Sequence, residues 1–197
     1  AVQHGKQILN MSASFHVEED GWHHQHEMPS VVGPDGLRSS EEIKKANMDR
    51  IPEKYQGNFL KKRPIDIREV APQDWFDPRV EDDANNLWFR VPGAEVADAK
   101  MQHCLLAYAS DMNLLGSSLR PHGQSFFQGT VMTASLDHAM WFHAPVNFGD
   151  WHLYSMDSPF TGGARGFNRG TIYTKSGQLV ASVAQEGLMR PLKKEKT

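Results

Sequence analysis

Residues 98–115 (DAKMQHCLLAYASDMNLL) carry one long helical pattern, and a run of strand-like segments follows it. Met101, Cys104, Leu105, Tyr108, Met112 and Leu115 recur at helical spacing. Asp98 suits the N-cap and Gly116 is placed to stop the helix. Val131 to Phe142, Trp151 to Met156, Gly166 to Thr174 and Gln178 to Met189 then alternate with Pro-, Gly- and Asn-containing turns. Lys175-Ser176-Gly177 has the length of a hairpin loop. Before the helix, Ile65 to Val70 and Leu87 to Val91 read as strands on β-branched and aromatic content. One apolar helix with hairpin-type strands predicts a helix wrapped by an antiparallel sheet, an α+β fold.

Composition narrows what such a fold could serve. The 197 residues hold 21 Lys and Arg against 24 Asp and Glu, a formal charge of -3, so no basic field exists for sequence-independent nucleic-acid binding. A single cysteine, Cys104, excludes an internal disulfide framework and fits a reducing compartment. Apolar runs fall far short of the roughly 20 residues of a membrane span. The expectation is a soluble intracellular protein, with more polypeptide before residue 1.

The N-terminal third differs in character. In residues 5–15, Leu9, Met11, Ala13 and Phe15 alternate with Asn10, Ser12 and Ser14, which predicts a strand. Leu179, Ala181 and Val183 make a similar face after Ser176-Gly177, so the two segments look like one element used twice. Residues 29–62 then supply turn chemistry and a short solvated helix. In that helix Ser39 stands at the cap, Glu41 and Glu42 lie in the first turn, and Lys44 and Lys45 follow. From residue 63 a domain builds up.

Three polar residues stand out or fail to. Asp111 shares a helical stripe with Cys104, Tyr108 and Leu115, which predicts a carboxylate on the buried face, where desolvation demands compensation. A loop hydrogen bond is the bland alternative, although an anion is unfavourable at a helix C-terminus. Gln185 continues the apolar face of Leu179, Ala181 and Val183. It is either a core amide bonded to backbone or one that holds a water or carbonyl. Ser135, beside Thr133 and Asp137, reads as an ordinary polar strand position.

Four segments, MSASFHVEEDGWHHQHEMP, YASDMNLLGSSLRPHG, MTASLDHAMWFHAP and ARGFNRGTIYTKSGQLVASVAQEGLMR, resemble the type II acyl-CoA thioesterases, the bacterial TesB enzymes and their peroxisomal relatives. The resemblance implies a double hotdog, each domain a long helix wrapped by a curved antiparallel sheet. Residues 1–28 would be the end of the first hotdog, 29–62 a linker, and 63–197 the second, catalytic hotdog. It implies hydrolysis of fatty acyl-CoA by water, without a cofactor, on Asp111, Ser135 and Gln185. Asp111 would accept the water's proton while Ser135 and Gln185 orient it. It further implies a homo-oligomer of longer chains, and a polypeptide starting at residue 1 is then expected to be poorly soluble or inactive.

Other chemistries fit less well. No Gly-x-Ser-x-Gly elbow is present. An acyl-CoA hydratase of the same fold would need a His where Gly116 stands, and a non-catalytic acyl-CoA or acyl-carrier binding module is the rival of another class. His23, His24 and His26 with Glu27 could ligate a metal, but a loop cluster of this kind reads as a solvated turn, and no metal is expected. Asp137 and His138, adjacent on a strand, should face opposite ways. For the phosphates of CoA the candidate cations are Arg165, Arg169 and Lys175. The C-terminal Glu-Lys-Thr is not a Ser-Lys-Leu address, so a bacterial-type cytoplasmic enzyme is expected.

Overall fold

The computed structural model describes residues 1–51, 53, 56, 57 and 61–192. The chain opens with a two-rung hairpin, β1 (Val2–Gln3) and β2 (Lys6–Gln7), turned at His4 (φ 48°) and Gly5 (φ 72°). The strand expected over 5–15 ends at Gln7, and residues 8–33 hold neither helix nor strand. Alternation sets which side chains share a face, but a strand also needs a neighbour for its N–H and C=O groups. Only β1 offers one here. Phe15 is accordingly 96% exposed and Met11 81%.

The chain after Trp22 does find the sheet. Gln25 donates to the Gly177 carbonyl at 2.8 Å and accepts from the Leu179 N–H at 3.0 Å. Met28, Val31 and Leu37 pack on Trp88, Trp151, Leu153 and Tyr173. Helix α1 (Ser40–Ala46) begins with a full capping box: the Ser39 hydroxyl accepts from the Glu42 N–H, and the Glu42 carboxylate accepts from the Ser39 N–H.

The main sheet holds β3 (Asp66–Glu69), β4 (Asn85–Arg90), β5 (Val131–Ser135), β6 (Ala139–Phe142), β7 (His152–Gly162), β8 (Arg165–Thr174) and β9 (Leu179–Pro191). All its pairings are antiparallel, in the order β3-β4-β7-β8-β9-β5, with β6 also on β9. The single strand expected over 131–142 is thus two. β6 pairs with residues 181–184 of β9 and β5 with 187–191, while Leu136 and Asp137 bend across the carbonyl of Glu186. A register shift in β7 falls at Ser158-Pro159, where proline has no N–H to give a ladder.

Helix α2 (Ala99–Ser110) lies on one face of this sheet, its Asp98 cap accepting from the Met101 N–H at 2.8 Å. The face it buries is only partly the one expected. Gln102, Leu106, Ala109 and Ser110 point inward, while Met101 and Tyr108 are more than half exposed and Cys104 is exposed. The reason lies in Gln102, whose amide is satisfied at both ends: it donates to the Ala94 carbonyl at 2.6 Å and accepts from the Phe148 N–H at 2.7 Å. A polar residue with both partners can be buried, and the expected stripe divides around it: Leu105, Met112 and Leu115 pack inward, while Met101, Cys104 and Tyr108 face out.

The helix also ends five residues early. Ser110 is its last residue, Asn113 sits in the left-handed region (φ 65°), and Gly116 starts helix α3 (Gly116–Leu119) rather than stopping α2. Beneath the helix Phe89 meets Phe148 edge-on at 4.9 Å and stacks on Tyr154 at 5.4 Å, with Leu106, Leu114 and Ile172 fully buried around them. At Gly170 a Cβ would overlap the Tyr154 ring, so the strand can pass the tyrosine only without a side chain.

Candidate active site

Asp111 is the first residue past α2, Ser135 ends β5, and Gln185 is centred on β9; the fold brings all three together. The Gln185 amide nitrogen donates to Asp111 Oδ1 at 2.6 Å and to Ser135 Oγ at 3.0 Å. Ser135 Oγ lies 3.5 Å from the same carboxylate oxygen, at the outer limit of a hydrogen bond. A carboxylate only accepts, so the amide nitrogen must face it. That leaves Gln185 Oε1 turned elsewhere, buried and without a hydrogen-bond partner among the described residues. A buried acceptor in that state is suited to take a hydrogen bond from a bound water.

Asp111 is exposed rather than buried, standing one residue past the last turn of α2. Gln185, by contrast, is 1% exposed on the inner face, as its place among Ala181 and Val183 required.

A supporting set surrounds the three. The buried Tyr154 hydroxyl donates to the Ser110 carbonyl at 2.8 Å, fixing the last turn of α2. Burial, and then the charge of Asp111, push that phenol well above its ordinary range. Ser110 Oγ donates to the Ala107 carbonyl at 2.8 Å, so His138 Nε2, also 2.8 Å away, must be the donor in their contact. His138 keeps a solvent-exposed edge, yet burial of the rest holds its imidazole below the ordinary value, against the pull of Asp111 and Asp137. Asp137 turns the other way and accepts from the Glu186 N–H at 2.7 Å, so the adjacent pair is no dyad.

On the sheet side, Glu69 is 9% exposed and its carboxyl is raised by burial, opposed by a hydrogen bond with Asn113 and the charge of Arg120. Asn85 donates to the Asn113 carbonyl at 3.5 Å. These two contacts hold the left-handed turn that follows Asp111.

A model of the acyl-CoA thioesterase family matches residues 54–188. The chain belongs to that family. It is 35% identical over 190 residues to acyl-CoA thioesterase 2 of Haemophilus influenzae, covering 96% of this chain and 66% of that one. It superposes on a crystal structure of the acyl-CoA thioesterase II TesB2 from Mycobacterium marinum with a TM-score of 0.66 at 33% identity, over 89% of this chain and 60% of the other. A hot dog fold protein from Alicyclobacillus acidocaldarius shares the fold at TM-score 0.63 and 16% identity, over 89% and 59% of the two chains. The sheet wrapped on α2 is therefore a hotdog, and the chain spans roughly three-fifths to two-thirds of its relatives' lengths.

Within this family member the expected phosphate-binding cations lie apart from Asp111. Arg165 and Arg169 project from β8 on the face opposite Asn168, whose side chain accepts from the Ser118 N–H of α3. Arg165 pairs with Glu186 at 3.2 Å, Arg169 grips Asp157 through two hydrogen bonds of 2.6 and 2.9 Å, and Lys175 lies 3.5 Å from Asp35. What Asp111 does line is an open cleft of about 1690 Å³, which it shares with α1, β3 and the aromatic side chains of Trp75, Phe126 and Phe127. His23, His24 and His26 are exposed on the N-terminal segment, and among the described residues no group of three or more His, Cys, Asp or Glu is placed to hold a metal.

Proposed function

We propose that the chain hydrolyses fatty acyl-CoA to free fatty acid and CoA by direct attack of water, with Asp111 as general base. The observation that carries this reading is the convergence of Asp111, Ser135 and Gln185, which lie 24 to 74 residues apart in sequence and within 3.5 Å in space. Oδ2 of Asp111 bonds no described residue and is open to a water. That water can donate one hydrogen to the carboxylate and the other to Gln185 Oε1, the buried acceptor without a protein partner. Ser135 Oγ, already receiving the Gln185 amide, supplies a third contact that aims the oxygen lone pair at the thioester carbon. The water's oxygen forms the new C–O bond and its proton passes to Asp111. The C–S bond then breaks, and the thiolate of CoA recovers the proton.

The two named relatives are an acyl-CoA thioesterase 2 and an acyl-CoA thioesterase II, which supports an acyl-CoA substrate. The reading extends to lipid metabolism in the cytoplasm, consistent with a single cysteine and a bacterial relative. It also extends to a second hotdog unit covering the exposed Met101, Tyr108 and Phe142, with residues 1–28 as part of that unit. Among the described residues no helix is long and apolar enough to cross a membrane. Release of free thiol from a graded series of acyl-CoA esters tests the activity. A protein that binds these esters, by calorimetry, and releases no thiol would instead be a binding module.

A further inference from the structure

Asp111, Ser135 and Gln185 come from three separate elements, and one short turn ties the chain beside each of them. β5 leaves its pairing with β9 at Ser135, opposite Gly187, and β6 takes the pairing up at Ala139, opposite Ala184. Residues 136–138 therefore face only Gln185 and Glu186, three residues against two, which is the arrangement of a β-bulge. The extra residue bends a strand and re-aims its side chains. Here Asp137 turns to β9 and His138 reaches α2.

Asp137 secures the Gln185 side. Its carboxylate accepts from the Glu186 N–H at 2.7 Å, while the N–H groups of Leu136 and Asp137 donate to the Glu186 carbonyl at 2.9 and 3.4 Å. Both backbone groups of the residue after Gln185 are thus held by the turn. His138 secures the Asp111 side. Its Nε2 donates at 2.8 Å to the hydroxyl of Ser110, the fully buried residue just before Asp111. The site depends on this alignment, because the Gln185 amide must reach Asp111 Oδ1 at 2.6 Å and Ser135 Oγ at 3.0 Å together.

The fold itself has little need of the imidazole. His138 is exposed, and Ser110 Oγ keeps its bond to the Ala107 carbonyl at 2.8 Å without it, so the buried hydroxyl is not orphaned. The Ser110 carbonyl is held separately by the Tyr154 hydroxyl.

We propose that His138 is a positioning residue for the hydrolysis: through Ser110 it fixes the end of α2 that carries Asp111 against the turn that carries Ser135. This rests on the hydrolytic reading above, and it gives His138 no contact with the thioester.

Steady-state thiol release by His138→Phe and His138→Gln tests it. In His138→Phe kcat should fall about tenfold with KM within about twofold of the native value, since alignment is lost and binding is kept. His138→Gln, whose amide nitrogen can donate to Ser110 at a similar reach, should recover most of that loss. His143→Phe removes a contact of the same kind, 2.8 Å from Ser182 and outside the turn, and should leave kcat within about twofold of native. Native kcat in His138→Phe, a loss that lies in KM, no recovery in His138→Gln, or an equal loss in His143→Phe overturns the proposal. If the native chain releases no thiol, the hydrolytic reading fails by itself. The alignment is then read from the Gln185 side-chain amide in proton–nitrogen NMR spectra. A signal displaced in His138→Phe and restored in His138→Gln supports the positioning role; one signal common to all three proteins overturns it.

Discussion

Residues 8–17 and residues 179–189 both place apolar side chains at every second position along one face, yet the first stretch forms no strand and the second forms most of β9. Leu9, Met11, Phe15 and Val17 are at least 59% exposed, while Val180, Ala181 and Val183 are at most 2% exposed. The difference is the company each keeps. β9 pairs with β8 between Leu179 and Leu188 on one side and with β6 and β5 on the other, and Leu106 and Ala109 of α2 pack in the same core cluster. The N-terminal stretch has two rungs of hairpin and then nothing within the described chain. An alternating pattern specifies which face would be buried and leaves open whether a partner exists to bury it.

Breaking the paired stretch should have the largest effect on stability. Val180→Asp places an uncompensated charge where a fully buried aliphatic side chain was, and should cost about 3–5 kcal/mol by denaturant titration, enough to unfold a marginal domain. Stability near that of the native chain would mean that β9 is not the centre of the fold.

Gln185→Leu sharpens the comparison, because it improves β9 as a strand and damages it as a site. The substitution removes a buried acceptor without a partner, so stability should rise by about 1 kcal/mol. The same change removes the donor to Asp111 and Ser135, so turnover should fall at least tenfold. Loss of stability together with activity would make Gln185 a structural residue.

A third effect is smaller and depends on pH. His152 on β7 is 1% exposed, and burial holds its imidazole below the ordinary value, with His138 displaced in the same direction. The unfolded chain then binds more protons than the folded one just below pH 6.5, so stability falls as pH drops from about 6.5 through the folded value. His152→Phe should flatten that slope, measured as the urea midpoint between pH 7.5 and 5.5. An identical slope would remove His152 from the account. Leu9→Asp should change stability by less than about 0.5 kcal/mol, since nothing among the described residues buries Leu9. A larger loss would show that the N-terminal stretch packs after all.

Legibility followed the same division between local pattern and partner. The α+β layout, the Asp98 and Ser39 caps and the inward Gln185 were readable, because each follows from spacing within one segment. Asp111 was marked as buried on a stripe that proved only half inward, since the helix orientation also depends on Gln102 meeting Ala94 and Phe148, contacts that local periodicity does not encode. Ser135 showed nothing by itself and emerged only through family resemblance. His138, Glu69 and Asn113 went unassigned because their roles arise from contacts across the fold. The partners of the β8 arginines were hidden for a comparable reason: register sets Arg169 directly opposite Asp157, and a sequence alone does not display cross-strand partners.

The claim on which the rest depends is that Asp111 activates the attacking water. Steady-state thiol release by the native chain and by Asp111→Asn, on one acyl-CoA, tests it most directly. The asparagine keeps an oxygen for Gln185 to bond and cannot take a proton, so kcat should fall at least about 10²-fold with the fold intact by circular dichroism. A folded Asp111→Asn protein that turns over within a few-fold of the native rate would contradict it.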